Sequence, residues 1–151
     1  MLTDHERRIL RYWQDEPSLS PGEIGEKVGL SAAQVARRMK MLRQRGVVKS
    51  IEAQINWPAL GYTVEVSLRI TLDKTVPRAF DEFLAAAREV PEVIEIQTFL
   101  GRVDARLNLI ARNMPHYQEV YRDRILTLPH IADIEALMHV ARIKAEEVYP
   151  L

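Results

Sequence analysis

Two helix starts stand eleven residues apart in the stretch Ser20 to Ser50, SPGEIGEKVGLSAAQVARRMKMLRQRGVVKS, and they leave few folds open to the chain. Ser20 is followed by Pro21 and Glu23, which is a serine cap with proline at the first helical position and a capping-box glutamate. Ser31 and Gln34 repeat the device. Between them Gly29 lets the chain turn tightly, because glycine enters left-handed backbone without a Cβ penalty. The pattern predicts a short helix over 21–28, a three-residue turn, and a longer helix over 32–45 stopped by Gly46. Ile24, Val28 and Leu30 then face Val35, Met39 and Leu42, with no side chain at Gly25 to hold the two helices apart. A helix-turn-helix is expected, with its second helix shaped for a DNA major groove.

Charge points the same way. Arg37, Arg38, Lys40, Arg43, Arg45 and Lys49 lie between Ser31 and Ser50, with no acidic residue among them. The whole chain balances 21 basic against 21 acidic residues, so this concentration is local. Basic runs on helices are usually solvated faces. Here the run starts at a capped helix N-terminus behind a glycine turn, and phosphate binding explains the combination better.

Upstream, Thr3 and Glu6 form another capping box, opening a helix from about Asp4 to Gln14 with Ile9, Leu10 and Trp13 on one face. Trp13 is read as core and His5 as surface. After Gly46, residues 47–55 are β-branched and partly alternating, which predicts a strand or short β-wing carrying Lys49 near the DNA backbone. Asn56 to Gly61 breaks the periodicity and reads as a connection. The expected division is a winged helix-turn-helix over 1–52, a linker over 53–61 and a second domain over 62–151. Ten basic and seven acidic residues precede position 61, and eleven and fourteen follow from there, so the second domain is not built for DNA.

The chain has no cysteine, which excludes disulfides and thiolate metal sites and fits a reducing compartment. No signal peptide or membrane-length apolar run is read, and a cytoplasmic protein with no membrane partner is expected. The four histidines (His5, His116, His130, His139) lack metal-ligand spacing, and no nucleophile with a base beside it can be assembled from the sequence. No enzyme activity, metal or cofactor is expected.

Tyr62 to Leu72 alternates strictly, with Tyr62, Val64, Val66, Leu68, Ile70 and Leu72 on one face and Thr63, Glu65, Ser67, Arg69 and Thr71 on the other. Pro77 is read as opening a helix with Phe80, Phe83, Leu84 and Ala87 as its apolar stripe. Strands follow over 93–100 and 105–111. Pro115 opens a helix through Leu128, with Tyr117, Val120, Tyr121 and Leu128 inward, and a last strand spans 131–143. Strand, helix, strand, strand, helix, strand is the ferredoxin-like arrangement, a four-stranded sheet with both helices on one face. The fold class expected is therefore α+β: a winged helix-turn-helix followed by a ferredoxin-like βαββαβ domain. The uncovered sheet face is mixed (Thr63, Glu65, Ser67, Arg69, Glu95, Gln97, Arg106, Asn108, with Phe99 and Ile110) and suited to a homodimer, since a two-fold reader presents two recognition helices.

With these pieces in order, the chain resembles the Lrp/AsnC (leucine-responsive, or feast/famine) family of transcriptional regulators over nearly its whole length. The resemblance rests on Leu2-Thr3-Asp4 with Arg8-Ile9-Leu10, Val28-Gly29-Leu30-Ser31, Arg38-Met39 with Leu42, and Gly46-Val47-Val48. Further along come Leu60-Gly61, Pro91-Glu92-Val93, Gly101 with Asp104, Leu128-Pro129 and Ile143-Lys144. It implies a reader of double-stranded DNA, a domain that senses a small molecule such as an amino acid, and dimers that can assemble into tetramers or octamers. Some decarboxylases of haem biosynthesis share the two-domain architecture, and a nucleoid-organising protein of low sequence preference is a third class. The basic second helix argues against the decarboxylase.

For DNA, chemistry places Ser31, Ala32, Ala33 and Gln34 nearest the base edges, with Gln34 suited to adenine. Arg37 is placed either to read guanine or to grip phosphate. Arg38 matches the family's arginine and reads as a phosphate anchor; Lys40, Arg43 and Lys49 read as backbone contacts. Few polar groups sit at the helix start, so part of the specificity is assigned to DNA bending. Gly101, Arg102, Val103 and Asp104 are on one reading a plain hairpin turn. On the other, implied by the resemblance, they line the effector pocket at a subunit interface, with Ala136 and Met138 of the last strand. Asp104 would then accept from an α-ammonium group and Arg102 offset an α-carboxylate. Ile134 and Ala136 stand where family members often carry threonines, a departure that bears on the effector's identity. His139 is read as packed or interfacial.

Overall fold

Each of the first three helices begins as its cap dictates. In the computed structural model, which describes residues 1–145 and 148–151, α1 spans Asp4–Asp15, α2 Pro21–Val28 and α3 Ala32–Gln44. All three capping boxes close. The hydroxyls of Thr3, Ser20 and Ser31 accept from the amides of Glu6, Glu23 and Gln34, and those side chains accept from the cap amides at 2.8, 2.6 and 2.9 Å. Between α2 and α3, Gly29 takes φ 73° and ψ 37°. Gly25 serves the turn rather than the helix–helix contact expected of it. The Gly25 carbonyl accepts from Gly29 and Leu30, and a Cβ here would collide with the Leu30 carbonyl oxygen.

The chain divides into two units, residues 1–54 with 144–151, and residues 55–143. The first buries Ile9, Leu10, Trp13, Ile24, Val28, Val35 and Leu42 together. Of the C-terminal residues expected in the second domain, the described ones, 144–145 and 148–151, group with the helices. Past the last strand they have no ladder to join, and α1 receives them instead. Arg11 donates to the Leu151 carbonyl, Gln14 and Tyr149 exchange hydrogen bonds at 3.1 and 2.9 Å, and Leu151 packs on the helical core. The expected wing strand is also absent among the described residues. Residues 49–54 form no strand and are exposed.

The second unit follows the predicted element order. A 3₁₀ turn (Trp57–Leu60) leads into β1 (Val64–Leu72), α4 (Ala79–Arg88), β2 (Val93–Thr98), β3 (Ala105–Ala111), α5 (Met114–Val120) continued by a π-turn (Tyr121–Ile125), and β4 (Ile131–Met138). The sheet is antiparallel with order β2-β3-β1-β4. Val66, Leu68, Ile70 and Leu72 meet Phe83, Ala87, Val120, Ile125 and Leu128 in one core. Helix α4 starts two residues after Pro77. Ala79, Phe83 and Ala87, four residues apart, share its inner face, and Phe80, expected in the core, stands in the first turn and is exposed. The last strand stops at Met138 rather than 143.

Beyond β4 the chain turns onto the open sheet face. Glu65, Ser67 and Asn108, of the mixed face expected to meet a second copy, are buried there. Glu65 accepts from Arg142 and from Asn108 Nδ2 (2.9 Å), with His139 Nδ1 3.5 Å away, and Ser67 Oγ lies 2.9 Å from His139 Nε2. Val140 and Ile143, alternating with these inward residues, are 98% and 94% exposed.

Candidate nucleic-acid interface and ligand cavity

Helix α3 is attached along one side only. Val35 and Leu42 are buried, whereas Ala32, Ala33, Ala36, Arg37, Lys40, Met41 and Gln44 lie in the open and Arg38 is half-buried. The exposed stripe thus carries Arg37 and Lys40 on one face, a cationic surface wide enough to follow a phosphate backbone. Ser31 and Gln34 are exposed but engaged with each other in the capping box, so Gln34 gives up its cap bond if it grips an adenine edge with both polar atoms.

The basic residues divide by environment. The Arg43 guanidinium lies 5.2 Å from the Trp13 ring centroid, a cation–π contact that fixes its direction. Arg43, Val48, Lys49, Ser50 and Ile51 line a groove of about 390 Å³ beyond the end of α3. Arg45 is structural. Its Nη1 donates to Glu6 Oε1 at 2.7 Å and its Nη2 to the Met1 carbonyl at 3.4 Å. Glu6 thereby closes the α1 cap and ties down the end of α3. The Thr3 amide lowers its pKa most, burial opposes this, and Arg45 lowers it further, so the carboxyl sits below its ordinary range. A depressed carboxylate stabilises the fold above its unfolded pKa, and that contribution is lost as pH falls through the folded value. Glu6→Gln is expected to destabilise this unit by about 1 kcal/mol near neutral pH. Thermal melts of both proteins from pH 7 to pH 3 should show the gap closing toward acid; a constant gap would assign Glu6 no charge-dependent role.

In the other unit, a cavity of about 150 Å³ opens on the uncovered sheet face, lined by Arg69, Thr71, Arg102, Val103, Asp133 and Glu135. Of the six expected effector residues, Arg102 and Val103 line it. Asp104 is turned away: its Oδ2 accepts from the Leu72 amide (2.8 Å) and Lys74 Nζ (3.0 Å), closing the hairpin onto β1. Burial works to raise its pKa, but the Leu72 amide and Lys74 outweigh it and hold the carboxyl below its ordinary value. Gly101 lies in the same turn outside the lining. Ala136 and Met138 pair with Leu68 and Val66, which places them on the helix side of β4; Asp133 and Glu135 take the cavity side. The other four lining residues share one sequence signal, the polar parity Arg69/Thr71 and Asp133/Glu135 in alternating strands.

Ser67, His139 and Glu65 stand in the order of a nucleophile, a base and an orienting carboxylate, which the scattered histidines did not suggest. The arrangement lacks the rest of a hydrolytic site. Ser67 is 6% exposed in mid-strand, paired on both sides with Asn108 and Leu137, so the strand amides around it serve the ladder rather than an oxyanion.

Residues 2–49 match the family model described as winged helix-turn-helix DNA-binding, and residues 65–149 the one described as Lrp/AsnC ligand binding domain. A proline dehydrogenase transcriptional activator of Rhodobacter capsulatus is 29% identical over 127 residues, covering 84% of this chain and 82% of that protein. An HTH-type transcriptional regulator of Mycobacterium tuberculosis is 33% identical over 117 residues, 78% of each chain. Among solved structures, a Neisseria meningitidis transcriptional regulator in complex with L-methionine superposes with a TM-score of 0.91 at 24% identity, covering 99% of this chain and 97% of that one, a likeness of fold.

Proposed function

The chain belongs to the Lrp/AsnC family of transcriptional regulators, and from that premise we propose how it reads DNA and answers to a ligand. The start of α3 (Ser31, Ala32, Ala33, Gln34) enters the major groove, while Arg37, Arg38 and Lys40 along the helix and Arg43 and Lys49 beyond it hold the phosphates. The single observation that carries this reading is the cationic, solvent-facing stripe of a helix capped on both sides of a glycine turn. The protein acts as a non-catalytic regulator in the cytoplasm; among the described residues no helix is long and apolar enough to cross a membrane.

Two copies pair through the uncovered sheet face. Two buried polar atoms there, Asn108 Oδ1 and Arg106 Nε, have no hydrogen-bond partner among the described residues, and such groups are normally satisfied. Exposed Phe99 and Leu137 add apolar area beside them. Sedimentation of the full chain should give a dimer or a multiple of it, and a monomer at micromolar concentration would remove this part of the reading.

The function is tested by gel shift with the DNA upstream of the protein's own gene, expected to give a discrete band that resists competitor DNA. A diffuse shift erased by competitor would favour nucleoid-type binding instead. Arg38→Ala is expected to weaken binding to specific and competitor DNA alike and to lower the salt slope by about one unit. A salt titration that superposes on wild type would overturn the phosphate assignment.

A further inference from the structure

Helix α1 holds two arginines at the end of α3, and it holds them in opposite ways. Arg45 meets oxygens: Nη1 donates to Glu6 Oε1 at 2.7 Å and Nη2 to the Met1 carbonyl at 3.4 Å, so its charge is answered and its fork is in use. Arg43 meets a ring. Its guanidinium carbon lies 5.2 Å from the Trp13 ring centroid, and the side chain makes no hydrogen bond or ion pair among the described residues. An aromatic face attracts a cation through its quadrupole and engages none of its N–H groups. Arg43 is therefore fixed in direction while every guanidinium donor stays open.

The ring is itself anchored. Trp13 is 4% exposed and packs in the helical core with Ile9 and Leu42, so it cannot follow a wandering guanidinium. An arginine that grips a phosphate gives up side-chain freedom on binding. One already held against a rigid face has given up part of it beforehand.

The place of Arg43 on α3 makes that holding useful. It stands 12 positions past Ser31, about 18 Å along the helix from the end that meets base edges. A helix C-terminus carries partial negative charge and repels a phosphate unless a cation is kept in front of it. Arg43 is the basic residue of that last turn, and Lys49 lines the same groove. The backbone amides of Lys49, Ser50 and Ile51 have no partner among the described residues, so this wall of the groove has donors to add.

We propose that Trp13 is a positioning residue for DNA binding: its indole face holds the Arg43 guanidinium over the groove beyond α3, where Arg43 and Lys49 together grip a phosphate of the duplex. This rests on the reading of α3 as the DNA helix and extends it to a residue of α1 whose sequence pattern marks it only as core.

The test is a double-mutant cycle on the full chain, read by fluorescence anisotropy with the duplex upstream of the gene and with a mixed-sequence duplex. Urea melts fix the conditions under which each variant is folded. Arg43→Gln should weaken both duplexes about tenfold and lower the salt slope by about one unit. Trp13→Leu should weaken both about threefold, and Trp13→Phe less, since a phenyl ring is a poorer cation partner than indole. In the Arg43→Gln background, Trp13→Leu should have no further effect on binding. If Trp13→Leu does not fold, Trp13→Phe runs the same cycle at smaller amplitude. An equal loss with and without Arg43 would assign Trp13 to the fold alone, and binding unchanged in the Trp13 variants would equally overturn its role. Arg43→Gln without effect on affinity or slope would remove this phosphate contact, and the inference with it, while leaving Arg37 and Lys40 to carry the DNA reading. Failure of the wild-type chain to bind either duplex would remove that reading itself.

Discussion

Replacing both Arg37 and Lys40 with alanine is expected to raise the dissociation constant for the operator about 100-fold at physiological salt, about 1.4 kcal/mol for each lost contact. The log–log salt dependence should become shallower by about two units, because each neutralised phosphate contributes close to one. Both side chains stand in solvent on α3 and make no hydrogen bond or ion pair among the described residues, so the melting temperature should stay within a degree or two of wild type. That combination separates a DNA contact from a structural role. Arg45→Ala is the internal contrast: it exposes the Glu6 tie and should lower the melting temperature before it changes the salt slope. An unchanged slope in the double variant, measured by fluorescence anisotropy across a salt series, would place the duplex elsewhere on the molecule.

The second large effect belongs to the turn that aims α3. Gly25→Ala is expected to cost about 3 kcal/mol, at the upper end for an added methyl group, because the methyl meets a backbone carbonyl that cannot rotate away. The Leu30 carbonyl would have to move, and the hydrogen bonds from Gly29 and Leu30 to Gly25 with it. Gly22 lies in the same helix, and a Cβ there would stand 3.8 Å from Ser20 Oγ and 3.9 Å from the Ala32 Cβ, ordinary contact distances. Gly22→Ala should therefore stabilise by about 0.5–1 kcal/mol through helix propensity. Thermal or urea unfolding of the two variants should move in opposite directions, and gel shifts should fail for Gly25→Ala alone. Equal effects at both positions would mean that helix propensity, not the turn, governs this segment.

Much of this architecture is written in local chemistry. Caps act within four residues, so Thr3/Glu6, Ser20/Glu23 and Ser31/Gln34 place three helix starts without knowledge of anything distant. Strict alternation from Val64 to Leu72 is similarly local, and it assigned the core face of β1 correctly. Phe80 shows the limit of the same approach. It stands in the first turn of α4, whose start no side chain caps, and helix periodicity does not set how far toward that end the sheet covers the stripe.

What the sequence by itself determined, then, was the helix-turn-helix, the order of strands and helices, and the basic face of α3, because each depends on neighbours along the chain. Tertiary structure alone decided which charges are free to act. Pairing register put Asp133 and Glu135 on the cavity face and Ala136 and Met138 on the other. Folding brought Glu6 to Arg45 across 39 positions and Lys74 to Asp104 across 30, occupying groups that look available in the sequence. It laid Arg142 and His139 over Glu65, on the face expected to meet a second copy. A side chain's type is a local property, but its partner is a long-range one, and the partner decides whether a charge holds the fold or remains to meet a ligand.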